Sequence, residues 1–272
     1  MRLKKVSNMN IGGYNISYKH PDKPIYWGST PDGNTEVIKG INPPMFGGGM
    51  DGQVESIKNL WREYMVGNFL DHPNIVSGKE MIEGFSFEPY LVSRHAGYST
   101  LKDVHHHMDP DIRSLLLLQT AKALAYMHEQ GFVHRDVKPT NVAYDGLATC
   151  AVVDLGFTER KGDPTFASRR IMVGTPGYEA PEIIDGEEPD FPQDVYGFAL
   201  TMGDILFGKR AMQFYKKIPP RLNLPIILIS SPWRSVSGLI HQAIQDNPDK
   251  RPPIDEFVET LSKDNEAALD VA

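Results

Sequence analysis

The chain has 272 residues, with 28 Lys and Arg against 35 Asp and Glu, a formal charge of −7 at neutral pH. At roughly 150 residues per domain this is one large domain or two intimate lobes with room for a sizeable core. The acidic balance argues against a duplex nucleic-acid binder, which carries a basic footprint, and the single cysteine, Cys150, excludes an internal disulfide and a cysteine-built zinc cluster. No apolar run reaches the roughly 18 residues of a membrane span, and the basic residues 1–5 lack the apolar stretch of a signal peptide. These features predict a soluble, cytoplasmic protein with no membrane segment and no nucleic-acid partner.

Residues 1–50 are rich in Gly, Pro, Asn and Tyr and carry short alternating stretches, among them Tyr14-Asn15-Ile16-Ser17-Tyr18. Pro24-Ile25-Tyr26-Trp27 and Thr35-Glu36-Val37-Ile38-Lys39 flank the turn signal Pro31-Asp32-Gly33-Asn34, which predicts a β-hairpin with a longer loop. Gly47-Gly48-Gly49 reads as a joint, and Asp51 as a helix cap. Ile57, Leu60, Trp61, Tyr64, Met65 and Phe69 recur at helical spacing. Pro73 pushes its predecessor out of the α region, so that helix should end near Asp71. A last strand is expected over residues 88–93.

Beyond Leu101 the pattern turns helical. Asp109-Pro110-Asp111 supplies a cap, a first-turn proline and a first-turn acid for an apolar helix from about Ile112 to His128, with Gly131 as its stop. Val195 to Phe207 is apolar on nearly every face and reads as a buried central helix. Two more helical patterns lie at 236–244 and 254–261. Consecutive His105, His106 and His107 point to different faces of a helix and read as solvated surface. Cys150 falls in an apolar strand and reads as a buried structural thiol.

The chemistry concentrates in His134-Arg135-Asp136-Val137-Lys138-Pro139-Thr140-Asn141, which places a carboxylate, an ammonium and an amide oxygen in one short loop. Asp154-Leu155-Gly156 stands thirteen residues beyond Asn141. Between them Asp145-Gly146 is a strong hairpin signal, which predicts that Asn141 and Asp154 converge. An Asp-x-Gly alone is most often a turn; two hard oxygen ligands beside substrate phosphates would suit Mg²⁺.

The run 134–141 resembles the catalytic loop of the eukaryotic-type protein kinases, and Asp154-Leu155-Gly156 their metal-binding triplet with Leu in place of Phe. Gly174-Thr175-Pro176-Gly177-Tyr178-Glu179-Ala180-Pro181-Glu182 resembles the end of their activation segment, and Asp194-Val195-Tyr196-Gly197-Phe198 the start of their central helix. Asp249-Lys250-Arg251-Pro252 resembles the late arginine motif that pairs with the Ala-Pro-Glu glutamate, here Glu182. Val37-Ile38-Lys39 sits where the family has its nucleotide-anchoring lysine, and Glu63, nine residues before His72, where its helix carries the partner glutamate. The resemblance spans about residues 24–262, with the order of the elements kept.

What the resemblance implies is an α+β, two-lobed fold: a small antiparallel sheet with one main helix, and a larger, mostly helical lobe. Its divisions would be 1–93, a hinge at 94–97, and 98–272, all within one kinase domain. Asp136 would orient the substrate hydroxyl and Lys138 would place positive charge beside the transferring group. Asn141 and Asp154 would hold Mg²⁺, and Lys39 would bind the ATP phosphates when positioned by Glu63. Lys138, two residues after Asp136, resembles the serine/threonine branch, so the expected partners are ATP and protein substrates. Arg135 suggests a basic pocket for a phosphate on the activation segment, with Thr165 and Ser168 as the favoured acceptors.

Three departures stand out. The turn that should cradle phosphates, Tyr18-Lys19-His20-Pro21-Asp22-Lys23, contains no glycine, and Gly12-Gly13 comes early for that task. ATP binding is therefore expected to be weak, with Lys19 or Lys23 compensating as a point charge. Arg94 stands where the connector usually has an acid, and Ser93 would be a small gatekeeper. The alternatives are a pseudokinase or nucleotide-gated scaffold, favoured by the missing glycines, and a small-molecule phosphotransferase on the same fold.

Overall fold

Alternating polar and apolar residues, interrupted by turn chemistry, build the first part of the chain as strands. The computed structural model describes residues 3–30, 32–41, 50–163, 174–208 and 234–269. It forms two compact units, residues 1–96 with 154–157, and residues 97–153 with 158–272.

The first unit contains β1 (Lys4–Ile11), β2 (Tyr14–Lys19), β3 (Ile25–Ser29), β4 (Thr35–Lys39), helix α1 (Met50–Phe69), β5 (Gly78–Glu83) and β6 (Pro89–Arg94). The strands form one antiparallel sheet in the order β1-β2-β3-β4-β6-β5. The expected hairpin is β3 with β4, paired from Ile25 opposite Lys39 to Ser29 opposite Thr35. Period-2 alternation sends Tyr14 and Ile16 inward to pack with Ile11, Ile38 and Val92. A Cβ on Gly28 would lie 2.9 Å from Ile16 and 3.0 Å from Ile38, so the bare backbone of β3 lets those two side chains close the core.

Helix α1 begins at Met50, one residue ahead of the expected Asp51 cap. It approaches β5 closely because Gly67 has no side chain: a Cβ there would sit 2.8 Å from the Gly78 nitrogen. The expected stripe is only partly the packed face. Leu60, Val66 and the following Leu70 are buried, whereas Trp61, Met65 and Phe69 are 46%, 47% and 55% exposed. Helical spacing identifies a stripe; it does not identify which side of the stripe meets the sheet.

The second unit contains β7 (Ser99–Thr100), α2 (Leu101–Val104), α3 (Pro110–Glu129), β8 (Phe132–Val133), β9 (Val142–Tyr144), β10 (Cys150–Val152), β11 (Glu159–Arg160), α4 (Pro181–Ile184), α5 (Phe191–Phe207), α6 (Arg234–Ala243) and α7 (Ile254–Leu269). Asp109 caps α3 by accepting from the Asp111 nitrogen, and Pro110 opens its first turn. Helix α5 is buried from Gln193 through Ile205, as its all-round apolar pattern predicts. Phe198 meets Phe257 of α7 edge-on, with ring centroids 5.4 Å apart. Strand β9 lies between β10 and β7, and β11 pairs with β8. Gly97 is obligatory beside β9, since a Cβ there would lie 1.8 Å from the Tyr144 carbonyl oxygen.

His105 corrects one expectation. It is buried, not solvated, with Nδ1 2.9 Å from the Leu101 carbonyl oxygen, and burial lowers its pKa. Cys150 is buried as expected, and its thiol is pushed up to about 12 by that burial. Gly47–Gly49 and the favoured phosphoacceptors Thr165 and Ser168 lie outside the described residues. Among the described residues no helix is long and apolar enough to cross a membrane.

Candidate functional site

Lys39 ends β4, held between Ile25 of β3 and Leu91 of β6. Its Nζ donates to Glu63 Oε2 of α1 at 2.5 Å and to Asp154 Oδ1 at 2.6 Å. The three side chains are 13%, 12% and 31% exposed, in the order Lys39, Glu63, Asp154. Burial by itself would lower the lysine pKa. The Asp154 carboxylate, and after it Glu63, outweigh burial and hold the ammonium above its ordinary range. Glu63 is displaced upward, chiefly by burial, with Lys39 opposing.

Asp154 reaches this group because the turn Leu155–Phe157 packs on α1. Arg62 Nη1 donates to the Gly156 carbonyl oxygen at 2.7 Å, and to Asn59 Oδ1 at the same distance. Asp154 itself takes φ +67°, a left-handed conformation uncommon outside glycine. Such strain persists only where the surroundings dictate it.

The turn His20–Pro24 joins β2 to β3, so the pairing of Ile25 with Lys39 puts it at the lysine end of the sheet. The Gly40 nitrogen donates to the Pro24 carbonyl oxygen at 2.7 Å and fastens it there. Gly12-Gly13 occupies the opposite end of β2, with Gly12 against Ile82. That glycine pair is therefore the turn of an additional N-terminal hairpin.

In the second unit the loop after β8 is anchored on the buried Asp194 of α5. Asp194 accepts from the backbone nitrogens of His134 at 2.7 Å and Arg135 at 2.8 Å, with His128 Nε2 3.0 Å away. Burial would raise the Asp194 pKa; the hydrogen bond and charge of His128, with the His134 contributions, outweigh it and hold the carboxyl below its usual value. Arg135 takes φ +67° here. With the backbone so fixed, Asp136 is gripped on both oxygens. Oδ1 accepts from Thr175 Oγ1 at 2.7 Å, while Oδ2 accepts from Lys138 Nζ at 2.5 Å and Asn141 Nδ2 at 2.9 Å. Lys138 also donates to Thr175 Oγ1 at 2.5 Å. The hairpin of β9 and β10 brings the Val153 nitrogen to the Asn141 carbonyl oxygen at 2.9 Å, one residue short of Asp154.

The structure thus gathers Lys39, Glu63 and Asp154 in one cluster and Asp136, Lys138 and Asn141, joined by Thr175, in another. The expected pair of Glu182 with Arg251 is present and bidentate, at 2.5 and 2.8 Å. Sequence reasoning missed the partner of Arg135. The expected phosphate-binding guanidinium forms a buried ion pair with Glu159, brought beside it by the pairing of β11 with β8. Nothing near Glu159 in the sequence announces this, because the pairing is tertiary. It also missed His20, whose imidazole Nδ1 accepts from the Asp22 and Lys23 nitrogens at 3.0 Å each.

The chain is 33% identical to the serine/threonine-protein kinase mos of Patiria pectinifera over 50% of its own length and 42% of that protein's. It is 26% identical to a putative serine/threonine-protein kinase of Acanthamoeba polyphaga mimivirus, covering 78% of this chain and 82% of the other. It is 28% identical to a probable serine/threonine-protein kinase of Arabidopsis thaliana, covering 96% and 64%. The family model described as the protein kinase domain matches residues 37–261, and by that match the chain belongs to the protein kinase family.

Proposed function

We propose that this chain is a serine/threonine protein kinase that transfers the γ-phosphoryl group of ATP to protein hydroxyls with Mg²⁺. The observation that carries the proposal is the grip on Asp136, whose two carboxylate oxygens are fixed by Thr175, Lys138 and Asn141. An ordinary carboxylate, near 3.9 in pKa, is a feeble base for an alcohol. Phosphoryl transfer needs little base strength, since positioning and charge stabilisation supply most of the catalysis. A rigidly held carboxylate that orients the hydroxyl and takes up its proton late is what such chemistry requires. Lys138 would offer its ammonium to the transferring group, and the Lys138–Thr175 contact supports the serine/threonine branch.

The residues fit the cofactors. Lys39 lies between two carboxylates, so that cluster carries excess negative charge which a cation relieves. Asp154 offers a partly exposed carboxylate, and Asn141, with its Nδ2 bound to Asp136, keeps its amide oxygen as an acceptor. Hard oxygens of this kind suit Mg²⁺, which would neutralise phosphate charge when bound. Lys39 would bind the phosphates, with Glu63 orienting its ammonium.

The glycine-free turn favours a second reading, a nucleotide-gated scaffold with weak or no transfer. Transfer of labelled phosphate from ATP to a generic protein, with and without Mg²⁺, separates the two. Magnesium-dependent labelling on serine and threonine that Asp136→Asn abolishes is expected. Nucleotide binding without any transfer would overturn the kinase reading in favour of the scaffold.

A further inference from the structure

The turn at the lysine end of the sheet presents two backbone N–H groups to one point. The Asp22 and Lys23 nitrogens both lie 3.0 Å from His20 Nδ1. The turn is closed by His20 nitrogen to the Ile25 carbonyl oxygen at 2.8 Å, and Ile25 nitrogen to the Lys23 carbonyl oxygen at 2.8 Å. Successive amides converging in a turn make an anion-binding concavity. Here the acceptor in that concavity is the protein's own imidazole. Two donors fix the tautomer: Nδ1 must be unprotonated, with the proton on Nε2.

We infer that His20 is an intramolecular competitor for nucleotide phosphate, seated on the two amides that a phosphate oxygen would otherwise take. The inference rests on the kinase reading above and deepens it. Nδ1 has a single in-plane lone pair, which the two N–H groups must share. A phosphate oxygen carries negative charge and several lone pairs, and charge-assisted bonds are roughly twice as strong as neutral ones. Exchange of imidazole for phosphate is therefore downhill at the amides. Apparent affinity is nonetheless reduced by the fraction of molecules in which the imidazole occupies the seat. The turn can thus grip phosphate without glycine, at the cost of first displacing His20. Its attachment beside Lys39, through Ile25 and Gly40, puts that step at the residue proposed to hold the phosphates.

Calorimetric titration of the full chain with ATP and with adenosine tests this. His20→Ala should bind ATP about five- to tenfold more tightly than wild type, the worth of a competing hydrogen-bond set of ordinary strength. Adenosine affinity should be unchanged. His20→Asn, whose amide oxygen accepts from the same backbone positions in an Asx turn, should stay near wild type. Equal or weaker ATP binding by His20→Ala, with wild-type binding still lost in Lys39→Ala, would overturn the competitor and leave the kinase reading standing. No ATP binding by any form would overturn both. Should His20→Ala fail to fold, the wild type decides by NMR. Saturating ATP, but not adenosine, should shift the His20 ring nitrogens and the Asp22 and Lys23 amides, and unmoved resonances would refute the inference.

Discussion

Arg251 grips Glu182 with both arms of its guanidinium, at 2.5 and 2.8 Å, while its Nε donates to the Gln245 carbonyl oxygen at 2.9 Å. The guanidinium carbon also lies 4.9 Å from the centroid of the Tyr196 ring. One residue thereby ties α4 to the start of α5 and to the loop after α6. Arg251→Ala strands a buried carboxylate and should cost about 3–5 kcal/mol. In a chain of this size that lowers the melting temperature by roughly 6–20 °C. The double variant Arg251→Met, Glu182→Leu, which leaves no lone charge, should recover part of the loss. Calorimetry of both variants checks the order.

Asp136→Asn should reduce phosphotransfer by about 10²–10⁴-fold, the usual worth of a positioned acid–base group. Binding of ATP without magnesium should be unaffected. Thr175 donates to Asp136, so under the proposed kinase reading Thr175→Ala should lower kcat more than it changes KM for ATP, while Thr175→Ser should retain the hydroxyl and the rate. Retention of most of the turnover by Asp136→Asn would exclude this loop as the catalytic one.

Glu159 already neutralises Arg135 in a buried pair. A second anion arriving from the activation segment would find this guanidinium engaged. Phosphatase treatment should therefore leave the transfer rate within about twofold, since a screened residual charge is worth well under 1 kcal/mol. Glu159→Gln leaves the arginine buried without its counter-ion and should destabilise the fold by about 3–5 kcal/mol. A large fall in rate on dephosphorylation would restore the phosphate pocket first expected at Arg135.

Asp194 gives a pH dependence with a definite sign. Its folded pKa lies below the unfolded carboxylate value, so the folded state binds that proton less readily than the unfolded chain. The stabilisation is complete above the unfolded value near 3.9 and is lost as pH falls through the lower folded value. Asp194→Asn should be less stable at neutral pH and should show a shallower loss between about pH 5 and pH 2. Urea titrations at several pH values measure both slopes; equal slopes would mean that Asp194 does not carry the acid sensitivity.

Much of this molecule is legible without coordinates, because strand alternation, helix caps and turn residues act over a few positions. Asp109-Pro110 opens α3, Asp145-Gly146 turns β9 into β10, and Glu182 meets Arg251 as motif order implies. The candidate residues Lys39, Glu63, Asp136, Lys138, Asn141 and Asp154 were also nameable from spacing and resemblance, and the structure places three of them in each of two hydrogen-bonded clusters. Tertiary structure alone decided the rest. Trp61, Met65 and Phe69 face outward while Gly67 lies against Gly78 of β5, a choice of side that helical spacing does not fix. Arg135 finds Glu159, twenty-four residues further along the chain, because β11 pairs with β8. His20 is invisible as a ligand in the sequence, since two amides converge on its Nδ1 only once the turn has its own backbone path. Local chemistry is written in short windows; partners chosen by packing are not.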